Sequence, residues 1–480
     1  MSTFFIEQFG CRATQADAAA IERQLRSRGF DAAPHAAAAD VVVVNTCTVT
    51  AAADSQARRA IRAIHRGNPA ARIIATGCYA QRAPEELAAL RGVTHVVGNS
   101  HKPEIPRLAE LDSANARAAS PSAYAESAAT DFVALASLSS ARATAASLPR
   151  AAQILVGDIF AQTELLVAPI EGGEAQHTRP TLKIQDGCNH RCSFCVIPYV
   201  RGNSRSLTPQ RVVREINELI ARGYREIVLS GIHLGSYGRD LAPRTNLRRL
   251  LSLVLAETSL ERLRLSSIEP MDITDDLVAF VASTDRIARH FHVPLQSASD
   301  RILSAMHRWY RAEHYARRLE WISAHLPDAA IGADVIAGFP GETERDHRAT
   351  LDFLRAQPFT YLHVFSFSPR PGTPGAALPH QVAPQEIQRR ARELRALAGE
   401  KKSAFLARHV GKVLSVLTLR QSPSDAASAI TPAVSTNNID VQLPGDWPAN
   451  LMLDVRATAA TPTTLAATPR IAESELVHFA

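Results

Sequence analysis

Apolar residues recur in short runs separated by longer amphipathic stretches, and this alternation predicts the elements. Phe4–Gln8, Val41–Asn45 and Arg72–Thr76 are short, largely apolar runs expected as strands. Ala16–Arg28 and Asp54–His65 carry the spacing of helices between them. Such a βαβα order predicts an open, Rossmann-like parallel sheet, in which ligands bind at the carboxyl ends of the strands. The alternation resumes with expected strands Thr181–Gln185, Glu226–Ser230, Arg262–Ser267, His290–Leu295, Ile331–Ala337 and Tyr361–Phe367. Helices fit between them at Pro209–Arg222, Asp275–Ser283, Asp300–His307 and Thr343–Arg355. Six strand–helix units predict a partial (β/α)6 barrel, open on one side, whose chemistry gathers at the carboxyl ends of its strands. After Gly411 the pattern shortens to β-like runs at Lys412–Leu419, Ile439–Leu443 and Leu451–Arg456.

The expected class is α/β, in segments 1–108, 109–177, 178–410 and 411–480. Residues 112–150 are rich in Ala and Ser and read as a linker or surface insertion. An Ala-rich helix competes with that reading, but the interspersed Ser, Pro and Thr weaken it.

Composition narrows the setting. With 46% hydrophobic and 21% charged residues the chain has the make-up of a folded, soluble protein. Its formal net charge of +6 is compatible with a nucleic-acid partner without requiring one. The opening MSTFFIEQFG lacks a basic stretch followed by an apolar one, and Val41–Val44 falls far short of the ~20 residues that span a bilayer. No membrane association and a cytoplasmic location are therefore expected. Thiols stay reduced there and serve metals or catalysis more often than disulfides.

The six cysteines fall into two sets of three. Cys188, Cys192 and Cys195 form C-x-x-x-C-x-x-C within GCNHRCSFC. Iron–sulfur clusters are normally held by four thiolates, so a loop offering three leaves one iron open to a chelating ligand. The competing reading is a structural zinc site with His190 as fourth ligand. It requires His190 to turn back into a crowded loop, and no second ligand pair lies nearby. Cys11, Cys47 and Cys78 each stand just past an expected strand end, so three thiols distant in sequence could converge. The alternative is three unrelated buried cysteines.

Gly231, Glu269, Gln296 and Asp334 lie at or near the ends of other barrel strands and are expected at the same mouth. Each also has an ordinary reading. Gly231 permits a tight turn, Glu269 caps or solvates a loop, and GFPGE at Gly338–Glu342 is strand–turn–helix punctuation. The segment Pro384–His409 is a basic helix candidate: either a face stapled by Glu386, Glu393 and Glu400, or a set of phosphate contacts.

GCNHRCSFC resembles the radical S-adenosylmethionine (SAM) cluster loop. FGCRATQAD, NTCTVT and GCYAQ resemble the amino-terminal domain of methylthiotransferases, and DVIAGFPGET, VPLQSASD and SPRPGTP are similar to later segments of that family. The match covers roughly residues 1–105 and 178–410. HLGSYGRD and LSSIEP look most like the branch acting on threonylcarbamoyl-adenosine beside the tRNA anticodon, at position 37.

This resemblance implies two 4Fe–4S clusters. One is on Cys188, Cys192 and Cys195, which are then the catalytic residues, and binds SAM. The other, on Cys11, Cys47 and Cys78, supplies the inserted sulfur. A radical derived from SAM removes hydrogen from adenine carbon-2, and a second SAM provides the methyl group. Gly231, Glu269, Gln296 and Asp334 become candidates for SAM or substrate contacts. The anticodon stem-loop of tRNA, an electron donor such as flavodoxin or ferredoxin, and a sulfur donor are the implied partners. A C-terminal β-barrel resembling the TRAM RNA-binding module is also implied, although few basic residues follow Arg420. Two alternatives stay open: a methylthiotransferase for isopentenyl-adenosine or a ribosomal-protein aspartate, and a zinc-stabilised RNA-binding protein without catalysis.

Overall fold

The computed structural model describes residues 2–110, 151–163, 165–166, 168–169, 178–421 and 429–470, so the Ala/Ser-rich 112–150 stretch lies outside the described residues. The chain divides into two units. One comprises Met1–Phe9, Ile21–Thr48 and Ala52–Asp158; the other comprises Gly10–Ala20, Val49–Ala51 and Ile159–Ala480.

The first unit is built on six parallel strands, β1 (Thr3–Gln8), β2 (Asp31–Ala32), β3 (Val41–Thr46), β4 (Arg72–Gly77), β5 (Val93–Val97) and β6 (Gln153–Leu155), in the order β2-β1-β3-β4-β5-β6. Every residue of β3 is buried, which is why its apolar run does not alternate: a central parallel strand is covered on both faces. Ala57, Ile61 and Ile64, spaced along the helix Ala51–Gly67, share one core with Val42, Val44 and Ile73. The sixth strand lies just past the Ala/Ser-rich stretch, in a part of segment 109–177 where no strand was expected. Its three residues are too few to show a period, and only pairing with β5 (His95↔Gln153, Val97↔Leu155) defines it.

In the second unit β7 (Thr181–Lys183) is followed by the short antiparallel pair β8 (Gln185–Asp186) and β9 (Arg205–Ser206). Then come β10 (Glu226–Ser230), β11 (Arg262–Leu265), β12 (His290–His292), β13 (Ala330–Ala337) and β14 (Tyr361–Ser366). They form the parallel triplets β11-β10-β7 and β12-β13-β14. Backbone bonds Leu263 N→Arg286 O (2.8 Å) and Ile268 N→His292 O (2.9 Å) link the β11 segment to the β12 segment. The result is the expected six-stranded partial barrel; among the described residues no strand pairing joins β7 to β14. Strand β12 stops three residues before the expected Leu295. Pro294 has no N–H to give to a ladder.

The helix Pro384–Ala407 leads into β15 (Val413–Thr418), β16 (Ile430–Ser435), β17 (Asp440–Pro444), β18 (Met452–Ala460) and β19 (Leu465–Pro469), a closed barrel of order β15-β16-β17-β19-β18. Two arginines hold it to the larger barrel. The fully buried Glu226 accepts hydrogen bonds from Arg264 (2.7 Å) and Arg262 (3.3 Å). Arg264 also donates to Ser435 O (3.0 Å) and Thr436 O (3.2 Å), and Arg262 donates to Ser415 Oγ (2.8 Å). Arg264→Met is expected to loosen this attachment, seen as faster limited proteolysis near the start of β15; an unchanged cleavage rate would show that the arginine does not hold it.

The helix Pro384–Ala407 is stapled rather than free. Arg389 pairs with Glu344, Glu386 and Glu393. Arg390 bonds Glu342 (2.9 Å), and Lys401 donates to the carbonyls of Arg355 (2.7 Å) and Gln357 (2.6 Å). Three of the cations that the phosphate-contact reading would use are thus engaged within the protein, as the stapled reading expects. Among the described residues no helix is long and apolar enough to cross a membrane.

Candidate functional site

Cys188, Cys192 and Cys195 lie in the loop between β8 and β9, on the carboxyl side of β7. Its entrance is tight. Gly187 has φ 73°, and a Cβ there would lie 2.0 Å from Asn203 O, so only glycine fits. Cys188 N donates to Gly202 O (3.0 Å), and Asn189 Oδ1 accepts from Ser204 N (3.0 Å), closing the loop on itself. Below it lies a buried group of two acids and two bases. Lys183 Nζ bonds Asp17 and Asp186, the latter at 2.8 Å. Arg201 donates to Asp186 (2.9 and 3.0 Å) and to Asp17 (3.0 Å). Burial disfavours the Asp186 carboxylate, but Arg201 and Lys183 outweigh it and hold its pKa far below the ordinary range. Asp186 also accepts from Gly187 N (2.8 Å), so the charge network anchors the residue next to Cys188.

The sulfurs are met by donors. Arg308 Nη1 donates to Cys192 Sγ (3.3 Å) and its other amino group pairs with Glu269. The His190 N–H points at Cys188 Sγ (3.4 Å). Burial pushes the Cys195 thiol up to about 12 and raises Cys192 as well, with Arg308 opposing the latter. A neutral thiol does not call for a buried guanidinium; a metal-bound thiolate does, because metal binding displaces the proton and hydrogen bonds to sulfur tune a cluster. The donor set therefore fits an iron–sulfur cluster.

Two imidazoles flank Cys188. His233 Nε2 lies 2.7 Å from Asp272 Oδ2, and the His190 and His233 rings stand 4.4 Å apart. Burial opposes a charge on His233, but bonds to Asp272 and Cys188 lift it to about 9. Cys188 Sγ and nitrogens of His190 and His233 lie within 4.8 Å of one another. The turn-back that the zinc reading requires of His190 is made: the loop brings it beside Cys188. That group holds one thiol and leaves Cys192 and Cys195 outside it, so it is not the three-thiolate zinc site considered from the sequence.

The four rim candidates separate. Glu269 joins the cysteine loop through Arg308. Gly231 is a close-approach position, where a Cβ would stand 2.8 Å from Gln185 Oε1. Gln185 in turn braces the loop through Gly187 O (2.8 Å) and the N–H of His233 (2.8 Å). Asp334 is not at a strand end but inside β13, where its carboxylate takes His292 (2.9 Å) and His363 (3.3 Å). Burial would raise its pKa, and the two imidazoles bring it down to about 2. Gln296 donates its backbone N–H to Asp334 O (2.7 Å) with φ 66°. These last two form their own cluster, apart from the cysteine loop's bonds. Arg308, His233, Asp272 and Asp17 were not foreseen. Arg308 stands 116 residues from Cys192, and nothing in a basic run such as MHRWYRAEHY singles it out.

In the first unit Thr46 and Gly77 are paired across β3 and β4, which sets Cys47 and Cys78 one residue beyond adjacent strand ends. A Cβ on Gly77 would meet Thr46 O at 2.3 Å, so glycine permits that approach. Both cysteines are buried, and Asn99 Nδ2 lies 3.6 Å from Cys78 Sγ. Cys11, three residues beyond β1 and exposed, belongs to the segment grouped with the second unit.

Residues 3–98 match the family described as Uncharacterized protein family UPF0004, and residues 182–354 match the Radical SAM superfamily. The chain is 36% identical over 420 residues to a threonylcarbamoyladenosine tRNA methylthiotransferase MtaB from Aquifex aeolicus, covering 87% of this chain and 92% of the relative. It is 33% identical to a ribosomal protein uS12 methylthiotransferase RimO from Chloroflexus aurantiacus, with 95% and 97% covered. Among solved structures, the radical SAM methyltransferase TsrM from Kitasatospora setae, with cobalamin and a 4Fe–4S cluster bound, superposes with a TM-score of 0.55. That likeness extends over 78% of this chain and 77% of the other at 17% identity, a likeness of fold. With both domain types in one chain and long matches at this identity, the protein belongs to the radical SAM methylthiotransferase family.

Proposed function

We propose that this protein transfers a methylthio group to adenine carbon-2 of N6-threonylcarbamoyladenosine beside the anticodon of tRNA. The observation that carries the chemistry is the three-cysteine loop with Arg308 directed at one sulfur; the likeness to the Aquifex enzyme supports the nucleoside. In this reading Cys188, Cys192 and Cys195 hold the SAM-binding cluster, and Cys11, Cys47 and Cys78 hold the auxiliary one. When bound, the two clusters supply an electron for SAM cleavage and the sulfur to be inserted. The protein's own part is to fix the cysteine loop through the Asp17–Lys183–Asp186–Arg201 network and to present Glu269 and Arg308 beside it. Residues 1–108 then form the auxiliary-cluster domain, 178–410 the SAM domain and 411–480 an RNA-facing barrel. Cytoplasmic tRNA, an electron donor and a sulfur donor complete the system.

The relative acting on ribosomal protein uS12 supports a second reading, a protein aspartate as substrate. Nucleoside mass spectrometry of tRNA from cells with and without the gene separates the two. Loss of the methylthio form of threonylcarbamoyladenosine alone is the expected result. Loss of the methylthio isopentenyl form instead would keep the family and overturn the branch. No change in either would move the assignment to the ribosomal protein. Zinc, rather than iron and sulfide, in anaerobically purified protein would overturn the catalytic reading altogether.

A further inference from the structure

Where the cysteine loop meets the turn at residues 305–310, a row of exposed side chains stands that the cysteine chemistry does not use. The two segments are tied at several points. Ser193 N donates to Met306 O (3.0 Å), Ser193 Oγ donates to Ala305 O (2.7 Å), and Arg308 reaches Cys192 Sγ. His307 Nδ1 lies 3.2 Å from Arg191 O. His307 itself has φ 57°, a left-handed conformation that favours glycine, at the end of the helix Asp300–Ala305. A histidine held there is strained backbone beside a functional loop. The turn aims Arg308 inward at Cys192 and Glu269, and anchors Tyr310 through its hydroxyl on Leu295 O (2.7 Å). Trp309, between them, is left 79% exposed.

An indole in water between two buried neighbours forgoes the burial that large apolar side chains normally gain. It is also pre-positioned, since the residues on either side cannot follow it away. The guanidinium of Arg191, whose backbone carbonyl meets His307, lies 5.7 Å from the centroid of the Phe160 ring, which is itself 41% exposed. Arg191 donates to the carbonyls of Cys188 (3.1 Å) and His190 (3.3 Å), so these bonds leave its charge unneutralised. The two tied segments thus expose an indole, an imidazole, a guanidinium and a phenyl ring. Flat rings beside a cation suit unpaired nucleotides, whose bases stack and whose phosphates need positive charge. A protein partner would want a continuous apolar patch instead.

We propose that this row is the docking platform for unpaired nucleotides of the RNA substrate. Bases stack on Trp309 and Phe160, and Arg191 takes a phosphate. The proposal rests on the tRNA reading above. Its test is binding of a fluorescently labelled anticodon stem-loop to the reconstituted holoenzyme at fixed salt. Trp309→Ala should weaken binding roughly 5- to 150-fold, the loss of one stacked base, while Trp309→Phe keeps most of the affinity. Arg191→Gln should flatten the dependence of log affinity on log salt by about one phosphate's worth. Iron content and melting temperature equal to wild type confirm that each variant is folded. If wild type binds the RNA and both Trp309→Ala and Phe160→Ala bind as well, the platform is wrong and the tRNA reading stands. If wild type fails to bind the RNA but modifies the ribosomal protein, the tRNA reading falls and the platform falls with it.

Discussion

Cys188→Ala is expected to abolish reductive cleavage of SAM, whereas Cys47→Ala should spare that cleavage and stop sulfur insertion. The two cysteines are positioned by different parts of the chain. Cys188 sits in a loop closed between Gly187 and Ser204, with a backbone N–H directed at its sulfur. Cys47 sits one residue past β3, beside the end of β4. Three thiolates are the fewest that leave a cubane one open iron, so removing one empties the site rather than weakening it. Anaerobic reconstitution, with iron and sulfide counted and 5′-deoxyadenosine measured by chromatography, reads both effects. Each variant should lose one cluster's worth of iron, and only Cys188→Ala should lose the deoxyadenosine. Full methylthiolation by Cys47→Ala would remove the auxiliary role from Cys11, Cys47 and Cys78.

Lys183→Met is the second large expectation. It removes one of the two basic side chains bonded to both Asp17 and Asp186, in a network whose four side chains are at most 8% exposed. Taking one partner from a buried ionic group costs about 3–5 kcal/mol, because the remaining charges stay desolvated. Urea unfolding should show a loss of that size, and Lys183→Arg, which restores the charge, should recover part of it. Iron content should fall too, because Asp186 holds Gly187 next to Cys188. Acid should expose the same network. The folded-state pKa of Asp186 is depressed, so its contribution is complete above about pH 4, the unfolded value. It is lost as pH falls through the depressed folded value. Wild type should therefore lose stability on acidification more steeply than Lys183→Met. Equal stability of the two proteins at neutral pH would show that the network does not support the loop.

Much of this was legible beforehand. The strands expected at Val41–Asn45, Glu226–Ser230 and Ile331–Ala337 announced themselves because largely apolar runs are what doubly covered parallel strands require. Strand β6 did not, because three residues carry no period. The basic helix was legible as a face stapled by its own acids or as phosphate contacts; Glu386 and Glu393 do pair with Arg389, and Glu342 and Glu344, on other segments, add partners that no local pattern shows.

By itself the sequence determined the class of chemistry. Cysteine spacing within one loop is a local property, set by covalent distance, and so it survives without a fold. The same holds for the strand–helix order that places the loop at a barrel mouth. What only the tertiary structure decided is which distant groups face those sulfurs. Arg308 reaches Cys192 across 116 residues, Asp17 reaches Lys183 across 166, and Asp334 turns to His292 and His363 instead. Such pairings depend on where elements pack. Burial in a low-dielectric interior, which no local pattern records, then makes each pairing strong.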